Sequence, residues 1–255
     1  MTTEPPAETP LLELRNIEAS YGPFRSLFGV SFAIQEQGVT ALLGGNGSGK
    51  TTVVRICSGL LHPTGGQLLY LGDDVSQVRA YKLARLGLVH APEGRSVFAT
   101  LSVEENLALT FRQVFGRRGC RAAIDQSYEL FPRLGERRRQ LAGTLSGGEQ
   151  RMLSLARVLV RSPKLLITDE LSLGLAPVII DEVYETLATI RKSGTALLIV
   201  EQHIHQALTL ADHVVVMAKG RVSLSGPTEE LGDIAERIIP AVHGDHRVAG
   251  NGAGS

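Results

Sequence analysis

The sequence is poor in cysteine, carries no excess of either charge and has no long apolar run, and each shortage excludes something. Only Cys57 and Cys120 are cysteines in 255 residues. They have no metal-ligand spacing, so no disulfide framework is expected and the implied compartment is a reducing one. Lys and Arg total 26, as do Asp and Glu. Zero net charge provides no whole-molecule attraction to nucleic acid or to an anionic membrane. No apolar stretch reaches the ~18 residues of a membrane span. The first ten residues are acidic and proline-rich, and do not read as a signal peptide. No repeat of solenoid period is present. The expectation is a soluble, cytoplasmic chain that serves a membrane only through a partner. At 43% hydrophobic residues, the length suits one large domain or two modest ones.

The most informative stretch is Gly44-Gly45-Asn46-Gly47-Ser48-Gly49-Lys50-Thr51, which fits the phosphate-loop pattern Gly-x4-Gly-Lys-Ser/Thr. Residues 39–43 before it are apolar and read as a buried strand, and residues 52–57 after it read as the start of a helix, the setting this motif needs. Small residues let backbone N–H groups close around a phosphate, and the helix N-terminus adds its positive end. Lys50 is expected to reach the outer phosphates of a nucleotide and the Thr51 hydroxyl to bind Mg2+. The plainer alternative is a glycine-rich turn.

Residues 1–10 read as a disordered lead and residues 241–255 as a Gly-rich disordered tail. Residues 11–19 and 24–34 suggest two strands joined by a turn containing Tyr21, which is either half-buried or available to stack on a base. Residues 65–71 suggest a strand, 75–86 a helix and 88–90 a short strand running into the polar Pro92-Glu93-Gly94-Arg95 loop. Residues 98–111 carry a helix whose start is marked by the capping-box pattern Ser102-Val103-Glu104-Glu105. The arginine-rich residues 117–139 have helical tendency, and form either a solvated face or an electrostatic contact with a partner or phosphate.

Leu145-Ser146-Gly147-Gly148-Glu149-Gln150 precedes a periodic helix over 151–160. Ser146 is a natural N-cap, yet two glycines at a helix start are poor helix formers. They suit close approach to an anion. Residues 164–168 form an apolar strand ending in Asp169-Glu170. Ligands of parallel α/β sheets lie beyond the carboxyl ends of the strands, so the acid pair is expected on the same edge as the phosphate loop. Asp169 would hold Mg2+ and Glu170 would act as general base on the attacking water. A helix over 178–191, a strand over 196–200, a helix over 203–210 and strands over 213–217 and 221–224 complete the pattern.

The phosphate loop, the Leu-Ser-Gly-Gly-Glu-Gln run and the strand ending Asp169-Glu170, in that order, resemble an ABC-type ATPase across residues 11–232. More finely, the chain resembles the ATP-binding subunit of bacterial branched-chain amino acid importers. That resemblance rests on Pro92-Glu93-Gly94-Arg95 with Phe98, on Leu101-Ser102-Val103-Glu104-Glu105-Asn106-Leu107, and on Leu130-Phe131-Pro132-Arg133-Leu134 with Glu136-Arg137-Arg138-Arg139. It rests further on Ser172-Leu173-Gly174-Leu175-Ala176-Pro177 and Val200-Glu201-Gln202.

The resemblance implies an α/β P-loop NTPase of the ABC type: a single domain over 11–240, with a mixed sheet core, an N-terminal antiparallel β part and a helical signature subdomain at about 95–160. It implies ATP and Mg2+ as cofactors. Two such domains, alike or different, would pack head to tail. Each ATP would then lie between the loop of one (Gly44, Gly45, Asn46, Gly47, Ser48, Gly49, Lys50, Thr51 and Thr52) and the Ser146-Gly147-Gly148 signature of the other, with Tyr21 on adenine. Residues 172–175 would touch the opposite subunit. Integral-membrane permease subunits and an extracytoplasmic solute-binding protein would complete the assembly, the ATPase lying peripherally on the inner face of the cell membrane, with no nucleic acid.

Three positions depart from the wider family. Glu93 stands at the Q-loop glutamine, where it would bear on the metal. Gln202 stands at the switch histidine, where it can hydrogen-bond the γ-phosphate but cannot carry a proton. Leu171 replaces the proline that usually follows the acid pair, loosening that loop. The first two resemble features of the branched-chain subgroup. Alternatives are an importer of urea, amides or another small solute, or an ABC ATPase acting on nucleic acid or ribosomes. Zero net charge and the lack of a long heptad run disfavour the latter.

Overall fold

A computed structural model of the chain describes residues 9–91, 97–159, 162–201 and 204–230. Strands β1 (Leu12–Tyr21) and β2 (Phe24–Ile34) form the expected antiparallel hairpin. With β4 (Gly65–Tyr70) and the two-residue β5 (Asp73–Asp74) they make a four-stranded sheet of order β2-β1-β4-β5. The second sheet is built from β3 (Val39–Gly44), β6 (Leu88–Ala91), β7 (Leu165–Asp169), β8 (Ala196–Glu201), β9 (His213–Ala218) and β10 (Arg221–Pro227). Its order is β10-β9-β3-β8-β7-β6, parallel except for the antiparallel edge strand β10. Every residue of β3, β7 and β8 is buried, and unbroken apolar runs are what a sheet covered on both faces requires.

The helices are α1 (Lys50–Cys57), α2 (Ala80–Leu86), α3 (Val103–Leu130), α4 (Pro132–Glu136), α5 (Gly147–Leu159), α6 (Pro177–Lys192) and α7 (Ile204–Leu210). Successive strand residues point to opposite faces, and two cores result. Leu42, Leu198 and Val200 pack with Ile17, Val30, Ile34 and Val53 of the four-stranded sheet and α1. Leu43, Leu197 and Ile199 pack with Leu107, Phe111, Leu155 and Val183 of α3, α5 and α6. None of the described helices is long and apolar enough to cross a membrane.

Two expected helices start later than their sequence pattern. Residues 75–79 are not helical, because Asp74 Oδ1 accepts from the Ser76 N–H at 2.9 Å and Ser76 Oγ accepts from the Leu68 N–H at 2.8 Å. Such side-chain turns outcompete a helix start. Residues 98–102 wrap around Asn106, whose side chain accepts from the Phe98 N–H at 2.8 Å and donates to the Phe98 and Ser102 carbonyls at 3.0 Å. The helix begins at Val103, behind a complete capping box of Ser102 and Glu105. It then runs through the arginine-rich stretch to Leu130, with a break at Gly116.

His90 on β6 has its Nε2 buried with no hydrogen-bond partner among the described residues, and burial pushes its pKa down to about 4. Its folded value is depressed, so it holds fewer protons folded than unfolded between pH 4 and about 6.5. Stability is therefore expected to fall as pH drops through that window, by at most about 3 kcal/mol from this group. Urea unfolding of wild type and His90→Leu at pH 7 and pH 4.5 should show a smaller pH penalty in the variant.

Candidate functional site

The carboxyl ends of three adjacent strands define one edge. Strand β8 lies between β3 and β7, with Leu43 opposite Glu201 and Asp169 opposite Val200. This register brings the loop after Gly44 and the Asp169-Glu170 pair together, as the strand pattern implies. Gly44 is required by a close approach: a Cβ there would sit 2.5 Å from the Met217 carbonyl oxygen and 2.6 Å from Ser48 Oγ. Gly45 is half-buried and Asn46 and Gly47 are exposed. The Ser48 N–H donates to the Gly45 carbonyl at 3.2 Å, and the Ser48 carbonyl accepts from the Gly220 N–H at 2.9 Å, fixing the loop to the turn before β10. Helix α1 follows, with Gly49 at its N-cap.

Lys50 is buried. Its Nζ donates to the carbonyls of Gly44 at 2.8 Å and Gly45 at 3.1 Å, and lies 3.9 Å from Glu170 Oε1. Burial pulls its pKa down, while the negative charges of Glu170, Asp169 and Glu201 act in the opposite direction. Thr51 is exposed. Thr52 is buried, with its Oγ1 2.9 Å from Ser26 Oγ, so this side chain ties α1 to β2 rather than facing the loop's mouth. Tyr21, at the end of β1, is exposed, and its hydroxyl accepts from Arg55 Nη1 of α1 at 3.2 Å. Glu93 and Gln202 lie outside the described residues.

Asp169 is buried at the end of β7. Glu170 adopts a positive φ of 47°, an uncommon conformation outside glycine. Its N–H donates to the Val200 carbonyl at 2.9 Å, and its carbonyl accepts from Arg151 Nη2 of α5 at 3.4 Å. The expected loosening of the next residues is not observed. Leu171 is buried, and the Ser172 N–H and hydroxyl both donate to the buried Glu201 carboxylate. Sequence reasoning assigned no function to Glu201 or Arg151. Two features of the sequence bear on them: an acid at the end of an apolar strand and an arginine inside a helix's apolar stripe.

The signature run caps α5. The Ser146 N–H donates to Glu149 Oε2 at 2.9 Å, and Ser146 Oγ accepts from the Glu149 N–H at 3.3 Å, a reciprocal capping box. Glu149 Oε1 pairs in turn with Arg137 Nε at 2.8 Å. Arg137, Arg138 and Arg139 are all exposed, and Arg137 among them serves the cap. Ser146 is exposed and Gly147 half-buried, but Gly148 is buried against α6. A Cβ on Gly148 would lie 2.3 Å from Ile179 Cγ2. Among the described residues no hydrogen bond joins Ser146, Gly147 or Gly148 to the phosphate loop. Gly148→Ala is expected to destabilise the chain by about 1–3 kcal/mol through overpacking. Ile179→Ala in the same chain should recover part of that loss, as read by the shift in thermal midpoint.

A family model described as ABC transporter matches residues 27–172. The chain belongs to the ABC transporter ATP-binding family. It is 39% identical over 216 residues to the high-affinity branched-chain amino acid transport ATP-binding protein BraG of Pseudomonas aeruginosa, covering 83% of this chain and 91% of BraG. It is 28% identical to the lipopolysaccharide export system ATP-binding protein LptB of Haemophilus influenzae, covering 87% and 92% of the two. Among solved structures it resembles a part of the cbiONQ ABC transporter complex of Clostridium perfringens, with TM-score 0.80 and 27% identity over 91% of this chain and 95% of that one. As a member of this ABC family the chain is an ATPase, with the α/β cassette fold that its two sheets and α3–α5 display.

For this ABC ATPase, Mg2+ fits the donors at the edge. No group of three or more His, Cys, Asp or Glu side chains converges among the described residues. Among the described residues the edge thus offers no dedicated all-protein cage. Mg2+ instead takes one or two protein oxygens and completes its shell with phosphate and water. Thr51 and Asp169 are hard oxygen donors of that kind.

Proposed function

We propose that the chain is the ATP-hydrolysing subunit of an importer for branched-chain amino acids. The geometry that supports hydrolysis is the approach of Lys50 Nζ to 3.9 Å from Glu170 at the end of the parallel sheet. In this reading the Gly44–Thr51 loop and Thr52 backbone bind the phosphates, Lys50 neutralises the outer ones, and Tyr21 stacks on adenine. Thr51 and Asp169 would hold Mg2+, with Glu93 assisting, and the bound ion would supply positive charge against the phosphates. Glu170 takes a proton from the attacking water, and Gln202 hydrogen-bonds the γ-phosphate. Ser146 and Gly147 approach the ATP of a second subunit, identical or paralogous, while Gly148 lets α5 pack closely enough on α6 to aim that helix start.

The choice of solute rests on the 39% identity to BraG over most of both chains. Permease subunits in the membrane and a solute-binding protein would then select the substrate, with this chain on the cytoplasmic face. A second reading, the ATPase of an exporter, is favoured by likeness to the lipopolysaccharide export ATP-binding protein LptB and to a Nod factor export ATP-binding protein, at 28% and 33% identity. Uptake of labelled leucine, isoleucine and valine by cells lacking this chain decides between them. The importer reading expects a loss of about 10-fold or more, restored by wild type and not by Glu170→Gln. Unchanged uptake of all three would overturn it.

A further inference from the structure

Glu201 is a buried carboxylate that the nucleotide chemistry above does not use. It ends β8 and is 2% exposed. Both of its oxygens serve one residue: Oε1 accepts from the Ser172 N–H at 3.0 Å and Oε2 from the Ser172 hydroxyl at 2.7 Å. Ser172 is itself 1% exposed. A buried carboxylate is costly unless it is hydrogen-bonded or paired, and charge-assisted bonds of this length are the strong kind. Ser172 lies two residues after Glu170, whose own N–H is held by Val200, the residue before Glu201. The end of β8 therefore grips the acid turn on both sides of Leu171.

The grip falls where the backbone needs it. Glu170 sits at φ 47°, and a non-glycine residue persists there only when its surroundings over-determine it. Proline, the usual stiffener after the acid pair, is replaced here by the buried Leu171. The bidentate contact also fixes the start of the Ser172–Leu175 turn, in which the Leu175 N–H donates to the Ser172 carbonyl at 3.2 Å. In addition, the negative charge of Glu201 is felt at Lys50.

We infer that Glu201 is a positioning residue: acting through Ser172, it holds the Glu170 carboxylate at its place beside Lys50 and shapes residues 172–175. This rests on the reading of Glu170 as general base. A misplacement of about 1 Å at a reacting group can cost 10²-fold in rate, so the effect belongs to turnover rather than to binding.

The test compares wild type, Glu201→Gln, Ser172→Ala, the double variant and Glu170→Gln, in the isolated chain or, if that does not turn over, in the assembled transporter. Glu201→Gln is expected to lower kcat about 10- to 100-fold with the dissociation constant for a fluorescent ATP analogue within about threefold. The double variant should lose clearly less than the product of the two single losses, because the two side chains share one contact. Hydrogen exchange should quicken in the peptide spanning residues 170–176 and stay unchanged in peptides from β3 and α5. The inference is overturned if both single variants keep kcat within about twofold of wild type. It is equally overturned if binding, exchange across the whole chain and turnover decline in step, which would make Glu201 a stability residue only. Normal turnover by Glu170→Gln would instead remove the base assignment, while the exchange of residues 170–176 would still report on the clamp.

Discussion

Glu170→Gln is expected to lower ATP turnover by about 100-fold or more while ATP affinity stays within about twofold, since a positioned general base contributes about 10²–10⁴-fold to rate. The substitution preserves the shape of the side chain and removes its basicity. It also preserves what the backbone of residue 170 does, since the bonds to Val200 and Arg151 use the N–H and the carbonyl. The measurement is steady-state phosphate release alongside equilibrium binding of a fluorescent ATP analogue. A dimer trapped by ATP, seen by size-exclusion chromatography in the variant, would show that binding and assembly survive the loss of chemistry. Undiminished hydrolysis would remove Glu170 from the role of base.

Lys50→Met should give the opposite pattern, a loss of ATP affinity of about 100-fold, or ~3 kcal/mol. The ammonium is buried and held by two loop carbonyls at 2.8 and 3.1 Å, so its donors are already aimed into the loop. Methionine keeps the stem and removes every donor. The Gly44 and Gly45 carbonyls then lose their partner, and a fall in folding stability of about 1 kcal/mol should accompany the binding defect. Calorimetric titration of ATP and a thermal melt separate the two. Side chains 3.9 Å apart thus give distinct phenotypes, one in affinity and one in rate.

The strands of the buried sheet were legible because most are apolar runs bounded by turn residues, and the order loop, signature, acid pair placed the site on one expected edge. The starts of α2 and α3 were less so, because Ser76 and Asn106 act on backbone groups eight residues away, which a helical period does not report. The tiny β5 lacks any apolar pattern, being two aspartates. Ser146 was correctly read as a cap, and Glu149 three residues on completes that local pattern, but the Arg137 ion pair depends on how the end of α4 approaches α5. Gly148 reads as anion-facing by motif, whereas its packing against Ile179, thirty-one positions away in sequence, emerges only in three dimensions. The Glu201–Ser172 contact spans twenty-nine positions and carries no local signature at all.

The cap of α5 has a consequence for how tightly two copies could hold one nucleotide between them. Alone, the helix start already has two of its donors engaged: the Ser146 and Glu149 N–H groups are each satisfied by the other's side chain, and Arg137 pairs with Glu149. A phosphate arriving from a second subunit would therefore not find the Ser146 and Glu149 N–H groups vacant. It would exchange one set of hydrogen bonds for another, and the net gain of such an exchange is small. In the proposed pairing, closure around ATP would then be shallow enough to be undone when the phosphate is cleaved. Reversibility, more than grip, is what a cycling engine asks of that surface.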